Sequence, residues 1–189
     1  MTVSAENLAA AAKAAGKKGP PPVHLWNPPF CGDLDMEIRR DGTWWYLGTP
    51  MGRMGLVKLF SSILRKDGED YFLVTPVEKC GIRVVDAPFV ATDFRAEGQG
   101  RDQVLTFTTH VDDEAVAGPD HPIRVVRDPA TGEPSPYVHI RANLEALIDR
   151  KTFYRLVDLC CHEPVDGESW FGLWSSGRFF PVIPSADLP

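Results

Sequence analysis

The sequence predicts an α+β protein, β-rich, made of two duplicated strand-helix-strand units with mostly antiparallel sheets. Three observations carry that expectation. Short runs of alternating apolar and polar residues are separated by Gly, Pro and Asp turns; two brief stretches repeat apolar residues with helical spacing; and those two stretches match each other at a fixed shift.

Residues Ala5 to Ala15 are nearly all alanine with Leu8 as the one large apolar side chain, which predicts a surface or frayed helix with little to bury. Gly16 to Pro22, with Lys17, Lys18 and three consecutive prolines, ends it in an extended polyproline stretch. His24 to Gly32 combines prolines with Trp26 and Phe30 and reads as an irregular segment pinned by those two rings. Leu34, Met36 and Ile38 then alternate with Asp35, Glu37 and Arg39, and Arg40-Asp41-Gly42 turns into Thr43 to Leu47, a hairpin.

Thr49-Pro50 has the composition of a helix start. Leu56, Leu59, Phe60, Ile63 and Leu64 follow on one helical face, ending near Lys66 at Asp67-Gly68. Strands are expected at Tyr71–Thr75, Ile82–Val85, Phe89–Phe94, Gln103–Thr108, Ile123–Val126 and Tyr137–Arg141, with a long polar loop from Val111 to Pro122. A second helix, from about Asp149 to Cys161, carries Phe153, Leu156, Val157, Cys160 and Cys161. Two aromatic strands, Ser169–Trp174 and Arg178–Val182, close the chain around Ser175-Ser176-Gly177.

The helical stretches align at a shift of 97, pairing Leu47 with Leu144, Met51 with Ile148, Arg53 with Arg150, Leu56 with Phe153, Lys58 with Arg155 and Leu59 with Leu156. Beyond the helix the shift becomes 99, where Asp67-Gly68-Glu69 meets Asp166-Gly167-Glu168 and Tyr71-Phe72 meets Trp170-Phe171, so one two-residue insertion reconciles the halves. Duplication implies that each half covers a sheet face with its own helix, with a groove between halves where a ligand could sit.

A formal charge of -6 and a pI near 5.3 leave no basic stripe for a phosphate backbone, so nucleic acid is not an expected partner. No apolar run approaches the ~20 residues of a membrane helix and no signal-peptide pattern opens the chain, which places the protein in the cytoplasm. Cys31, Cys80, Cys160 and Cys161 lack CxxC pairing and read as buried thiols of a reducing compartment.

The charges beside two strand ends, Glu78 and Lys79 after Pro76 and Asp86 before Pro88, form the first candidate ligand site. In one reading Glu78 and Asp86 accept hydrogen bonds from a ligand while Lys79 supplies positive charge. In the other, Glu78 pairs with Arg53 or Lys79 and Asp86 forms a turn. Arg53 and Arg150 stand at the starts of the two helices, where backbone amides favour an anion, although an arginine there equally braces a loop. The stretch His110-Val111-Asp112-Asp113-Glu114 through Asp120-His121 is rich in metal-ligating types, and His110 could meet His121, but no recognised metal spacing is present and no metal or other cofactor is expected. Neither a GxSxG elbow, nor a papain-like cysteine context, nor a GxxxxGK[ST] loop occurs, and Cys161 and His162 would diverge on a helix, so no catalytic residue is assigned. Trp170, Phe171, Trp174, Phe179 and Phe180 concentrate aromatic surface that a homodimer or protein partner could use.

The runs HLWNPPFCGDLDM, LVKLFSSILR and TPVEKCGIRVVDAPF together resemble the uncharacterised proteobacterial family known as domain of unknown function 1285, over about His24 to Val182. That resemblance implies a duplicated β-rich fold with some likeness to pleckstrin-homology domains, and a role in signal transduction or small-ligand binding, with no catalytic residues to carry over. Three segments are expected: a flexible arm with the Ala-rich helix (1–22), an N-terminal α+β unit (23–88) and a C-terminal, pleckstrin-homology-like α+β unit (89–189). The expected function is non-enzymatic regulatory binding of a small anionic ligand through Lys79, Arg53 and Glu78. An interaction module or an uncharacterised enzyme using Glu78, Asp86 or His110 are the alternatives.

Overall fold

The computed structural model describes residues 4–16 and 20–188. The chain divides into two compact units, Met1–Pro88 and Phe89–Pro189.

The N-terminal unit contains α1 (Ala5–Ala15), β1 (Phe30–Ile38), β2 (Trp44–Tyr46), β3 (Thr49–Pro50), α2 (Met54–Ser62), β4 (Leu64–Asp67), β5 (Asp70–Val74) and β6 (Lys79–Val84). Its strands make one sheet in the order β3-β2-β1-β6-β5-β4, antiparallel except for the β1–β6 pair. Alternation does what it predicts in β1: Leu34, Met36 and Ile38 are buried while Asp33 and Asp35 face out. The Asp41 carboxylate accepts the Thr43 N–H at 2.9 Å and fixes the turn into β2, where Trp44 stacks on Phe60 of α2 with ring centroids 6.3 Å apart.

Three expectations are corrected here. Helix α1 is capped by Ser4, whose hydroxyl accepts the Asn7 N–H, and it is packed against α2 with Leu8 and Ala12 fully buried. Ala5, Leu8 and Ala12 share one helical face, and alanine lets two helix backbones approach closely, so a small apolar stripe suffices. The polyproline stretch falls partly on residues 17–19, which lie outside the described residues. Thr49-Pro50 is not a helix start: Leu47 and Gly48, with φ of 50° and 72°, turn the chain back on itself and make it the edge strand β3. Pro50 is tolerated there because an edge strand need not donate on both sides. Helix α2 therefore begins at Met54 with Arg53 as its N-cap residue, and it buries Val57, Phe60 and Ser61. It stops at Ser62 and not near Lys66, because Ile63 leaves the helical region and Leu64–Asp67 pairs with β5.

The C-terminal unit contains β7 (Phe89–Glu97), β8 (Val104–Thr109), β9 (Glu114–Val116), β10 (Ile123–Arg127), β11 (Pro134–Arg141), β12 (Leu144–Ile148), α3 (Arg150–Val157), β13 (Cys161–Val165), β14 (Glu168–Ser175) and β15 (Arg178–Pro184). One sheet runs β10-β11-β12-β7-β8-β9 with β12 and β7 parallel; a second is the meander β13-β14-β15. Strand β9 occupies part of the expected Val111–Pro122 loop, pairing Glu114 with Thr108. The second helix ends at Val157, so Cys161 opens a strand. Within this unit the buried Ser175 hydroxyl accepts the Leu105 N–H at 2.9 Å and donates to the Ala117 carbonyl at 2.7 Å, clamping β14 to the β8 region.

The register explains the two shifts seen in the sequence. Leu73 faces Leu64 in the β4–β5 hairpin, and Gly172 faces Cys161 in the β13–β14 hairpin. Leu64 and Cys161 are 97 apart; Leu73 and Gly172 are 99 apart. The two extra residues therefore lie at the hairpin tip, where Val165 opposite Glu168 is one additional cross-strand pair. Two similar halves fit a duplication.

Candidate functional site

The N-terminal unit holds a cleft of about 540 Å³ between α1, the end of the β2–β3 hairpin and the start of α2. Its walls are Ala5, Ala9 and Ala10 from α1 with Met51 and Leu56 opposite, and Glu6, Lys13, Tyr46 and Arg53 bring polar groups to it. Each arrives for a local reason. Alanines on α1 leave room between the helices. The Leu47-Gly48 turn and the short β3 swing Met51 and Gly52 over the helix start. Arg53 makes no side-chain cap bond, so α2 opens without a side-chain partner for its first amides. Two cationic side chains against one carboxylate leave the cleft with a positive excess beside a helix N-terminus, an environment that favours an anion, while its apolar walls suit a hydrocarbon or ring portion.

The other residues singled out from the sequence lie elsewhere. Lys79 holds Asp67 at 2.7 Å and lies over the Phe72 ring at 3.9 Å. Arg65 reaches the same Asp67 oxygen at 2.8 Å, and Arg65 and then Lys79 hold that carboxyl below its usual range. Asp86 meets Arg40 at 2.7 Å. Glu78 closes a turn in which its N–H donates to the Thr75 hydroxyl at 3.1 Å. Burial, and secondarily the Glu78 charge, pushes the Cys80 thiol up to about 12. Arg150, in the C-terminal unit, donates to the Tyr154 hydroxyl at 3.0 Å. Arg53 and Arg150 are not in equivalent helical positions: Asp149 caps α3 by accepting the Thr152 N–H at 2.7 Å, which makes Arg150 the first helical residue, whereas Arg53 is itself the N-cap. Gly52 stands where Asp149 does and has no side chain to cap with. Of the five candidates, only Arg53 lines the cleft.

Sequence reasoning missed Lys13, Tyr46 and Met51. The available signal was the 5, 8, 12 spacing of Ala5, Leu8 and Ala12, which marks a buried face on α1 and hence a second wall facing α2. His110 and His121 do not serve one another: the His110 Nδ1 accepts the Val90 N–H at 3.2 Å, and His121 lies against His139. Trp170, Phe171, Trp174 and Phe179 are half-buried and Phe180 is buried. The Trp174 indole donates to Glu163 at 3.1 Å.

Family models account for nearly the whole body. Residues 21–87 match the domain of unknown function DUF1285, N-terminal domain, and residues 88–182 match the protein of unknown function DUF1285, C-terminal domain. The chain belongs to the DUF1285 family. A crystal structure of a DUF1285 family protein from Silicibacter pomeroyi DSS-3 is similar to it at 66% identity and a TM-score of 0.86, over 95% of this chain and 96% of that one. A second DUF1285 structure, from Shewanella baltica OS155, is 29% identical with a TM-score of 0.51, over 66% of this chain and 91% of that one. No curated protein matches the chain. The two DUF1285 models meet between residues 87 and 88, beside the boundary between the compact units at Pro88 and Phe89. Among the described residues no helix is long and apolar enough to cross a membrane.

Proposed function

We propose that this DUF1285 protein is a non-enzymatic regulatory protein that binds a small amphipathic anion in the α1–α2 cleft of its N-terminal unit. The observation that carries the reading is the cleft itself, in which Arg53 and Lys13 flank apolar walls. Arg53 contacts the anionic group, the uncapped start of α2 adds its amides, and Met51 and Leu56 pack on the apolar portion. Among the described residues neither Arg53 nor Lys13 has a carboxylate within ion-pair distance, so a ligand need not displace an internal partner. In the same reading Glu78, Lys79 and Asp86 brace the loops at the two ends of the interior strand β6, Arg150 braces α3, and the mainly antiparallel sheets, with α2 and α3 at matching places in the two units, support a duplicated fold with pleckstrin-homology-like character.

A thermal-shift screen of nucleotides, phosphorylated metabolites, organic acids and short fatty acids tests it. A ligand at about one hundred times its dissociation constant stabilises by about 2.7 kcal/mol, or roughly 5–11 °C for a chain of this size. The shift is expected to vanish in Arg53→Ala and to survive in His110→Ala. No response to any anion, or a response indifferent to Arg53, refutes the proposal.

A further inference from the structure

We infer that His121 and His139, in the C-terminal unit, form a two-histidine site for a divalent transition metal. Their Nδ1 atoms are 3.1 Å apart, with ring centroids 5.2 Å apart. Two imidazole nitrogens bound to one tetrahedral ion at about 2.0–2.1 Å stand roughly 3.3 Å from each other, so the nitrogen spacing opens by only a few tenths of an ångström while the rings turn to aim both lone pairs at the ion. The outer hydrogen bond of His139 is of the kind a ligating imidazole makes. The His139 Nε2 points at the Ala142 carbonyl, so its proton is on that nitrogen and Nδ1 carries the lone pair, which faces His121. A metal-bound histidine ordinarily anchors its second nitrogen in this way.

Backbone bonds hold both residues in place before any ion arrives. The His139 N–H donates to the Pro122 carbonyl at 3.0 Å and the Gly118 N–H donates to the His121 carbonyl at 3.1 Å. His121 Nδ1 lies between two acceptors, His139 Nδ1 and, at 3.2 Å, the His139 carbonyl, so the metal-free form carries its proton on that atom. Metal binding moves the proton through water to His121 Nε2, leaving two neutral imidazoles with converging lone pairs. Both rings are half-buried, which leaves solvent access for completing the coordination. Among the described residues no set of three or more His, Cys, Asp and Glu is available, so water or a small anion fills the remaining positions. That chemistry selects imidazole-preferring ions such as Zn²⁺ and Cu²⁺ over Mg²⁺ or Ca²⁺.

Chelator-treated full-length protein is titrated with Zn²⁺ and Cu²⁺ by calorimetry. One saturable equivalent is expected, weakened about tenfold or more by His121→Ala or by His139→Ala, lost in the double variant, and unchanged in His110→Ala and His162→Ala. Imidazole ¹⁵N spectra of the unaltered protein provide a reading that does not depend on the variants folding: Zn²⁺ should move the Nδ1 signals of His121 and His139 and leave His24, His110 and His162 in place. Absence of a saturable equivalent, equal uptake by the double variant, or shifts confined to the other three histidines overturns the inference and leaves a hydrogen-bonded histidine pair.

Discussion

Replacing Ser175 by alanine isolates the contact that ties β14 to the β8 region in the C-terminal unit. The hydroxyl is fully buried, accepts the Leu105 N–H at 2.9 Å and donates to the Ala117 carbonyl at 2.7 Å. In Ser175→Ala the carbonyl keeps a partner, because the Ser176 hydroxyl also donates to it at 2.8 Å, but the Leu105 N–H is left unpaired in the interior. An unsatisfied buried donor costs about 1–3 kcal/mol, so about 2 kcal/mol is the central expectation, or roughly 4–8 °C in the unfolding midpoint of a chain this long. The neighbouring Ser176→Ala removes one of two donors to the same carbonyl from an exposed turn and should cost under about 0.5 kcal/mol. Urea unfolding monitored by tryptophan fluorescence measures both. If Ser175→Ala is within about 0.5 kcal/mol of the unaltered protein, or the two variants lose equal stability, the assignment of the Leu105 N–H to this hydroxyl is wrong.

Asp67 gives a pH signature. Arg65 and Lys79 depress its carboxyl in the folded state, so its contribution is present above about pH 4, the ordinary carboxylate range, and is lost as pH falls through the depressed value. The midpoint difference between unaltered protein and Asp67→Asn should therefore be largest near neutrality and shrink below about pH 4; a difference constant from pH 7 to pH 2.5 contradicts the pairing. Thiol labelling gives another test. Burial pushes Cys80 and Cys160 up to about 12, while Cys31 is exposed. At pH 8, Cys31 should react with an aromatic disulfide reagent first, and Cys80 and Cys160 should stay silent until denaturant is added.

How far the sequence reaches is clearest at particular residues. Period-two alternation located β1 because Leu34, Met36 and Ile38 are buried against one face only. It missed β4, since Leu64-Arg65-Lys66-Asp67 continues a helical pattern and only pairing with β5 makes it extended. It also missed β9, three residues long, whose Ala115 is the one buried residue of Glu114–Val116. At the cleft, Arg53 was visible as a cation near a helix start, but Lys13 and Met51 were not. They become neighbours through packing of α1 on α2, which an alanine-rich segment signals weakly. The His121–His139 pair was invisible for the same reason, being set by β11 lying beside the Pro122 backbone.

The extra Val165–Glu168 pair at the tip of the β13–β14 hairpin shows how a duplicated chain can drift in length without being re-patterned. Side chains alternate across a sheet with period two, so a tip grown by two residues returns every inner side chain to its original face, while one or three would turn the whole strand inside out or demand a bulge. Chains that share this architecture are therefore expected to differ at this tip by even numbers of residues, with any odd difference absorbed by a local bulge.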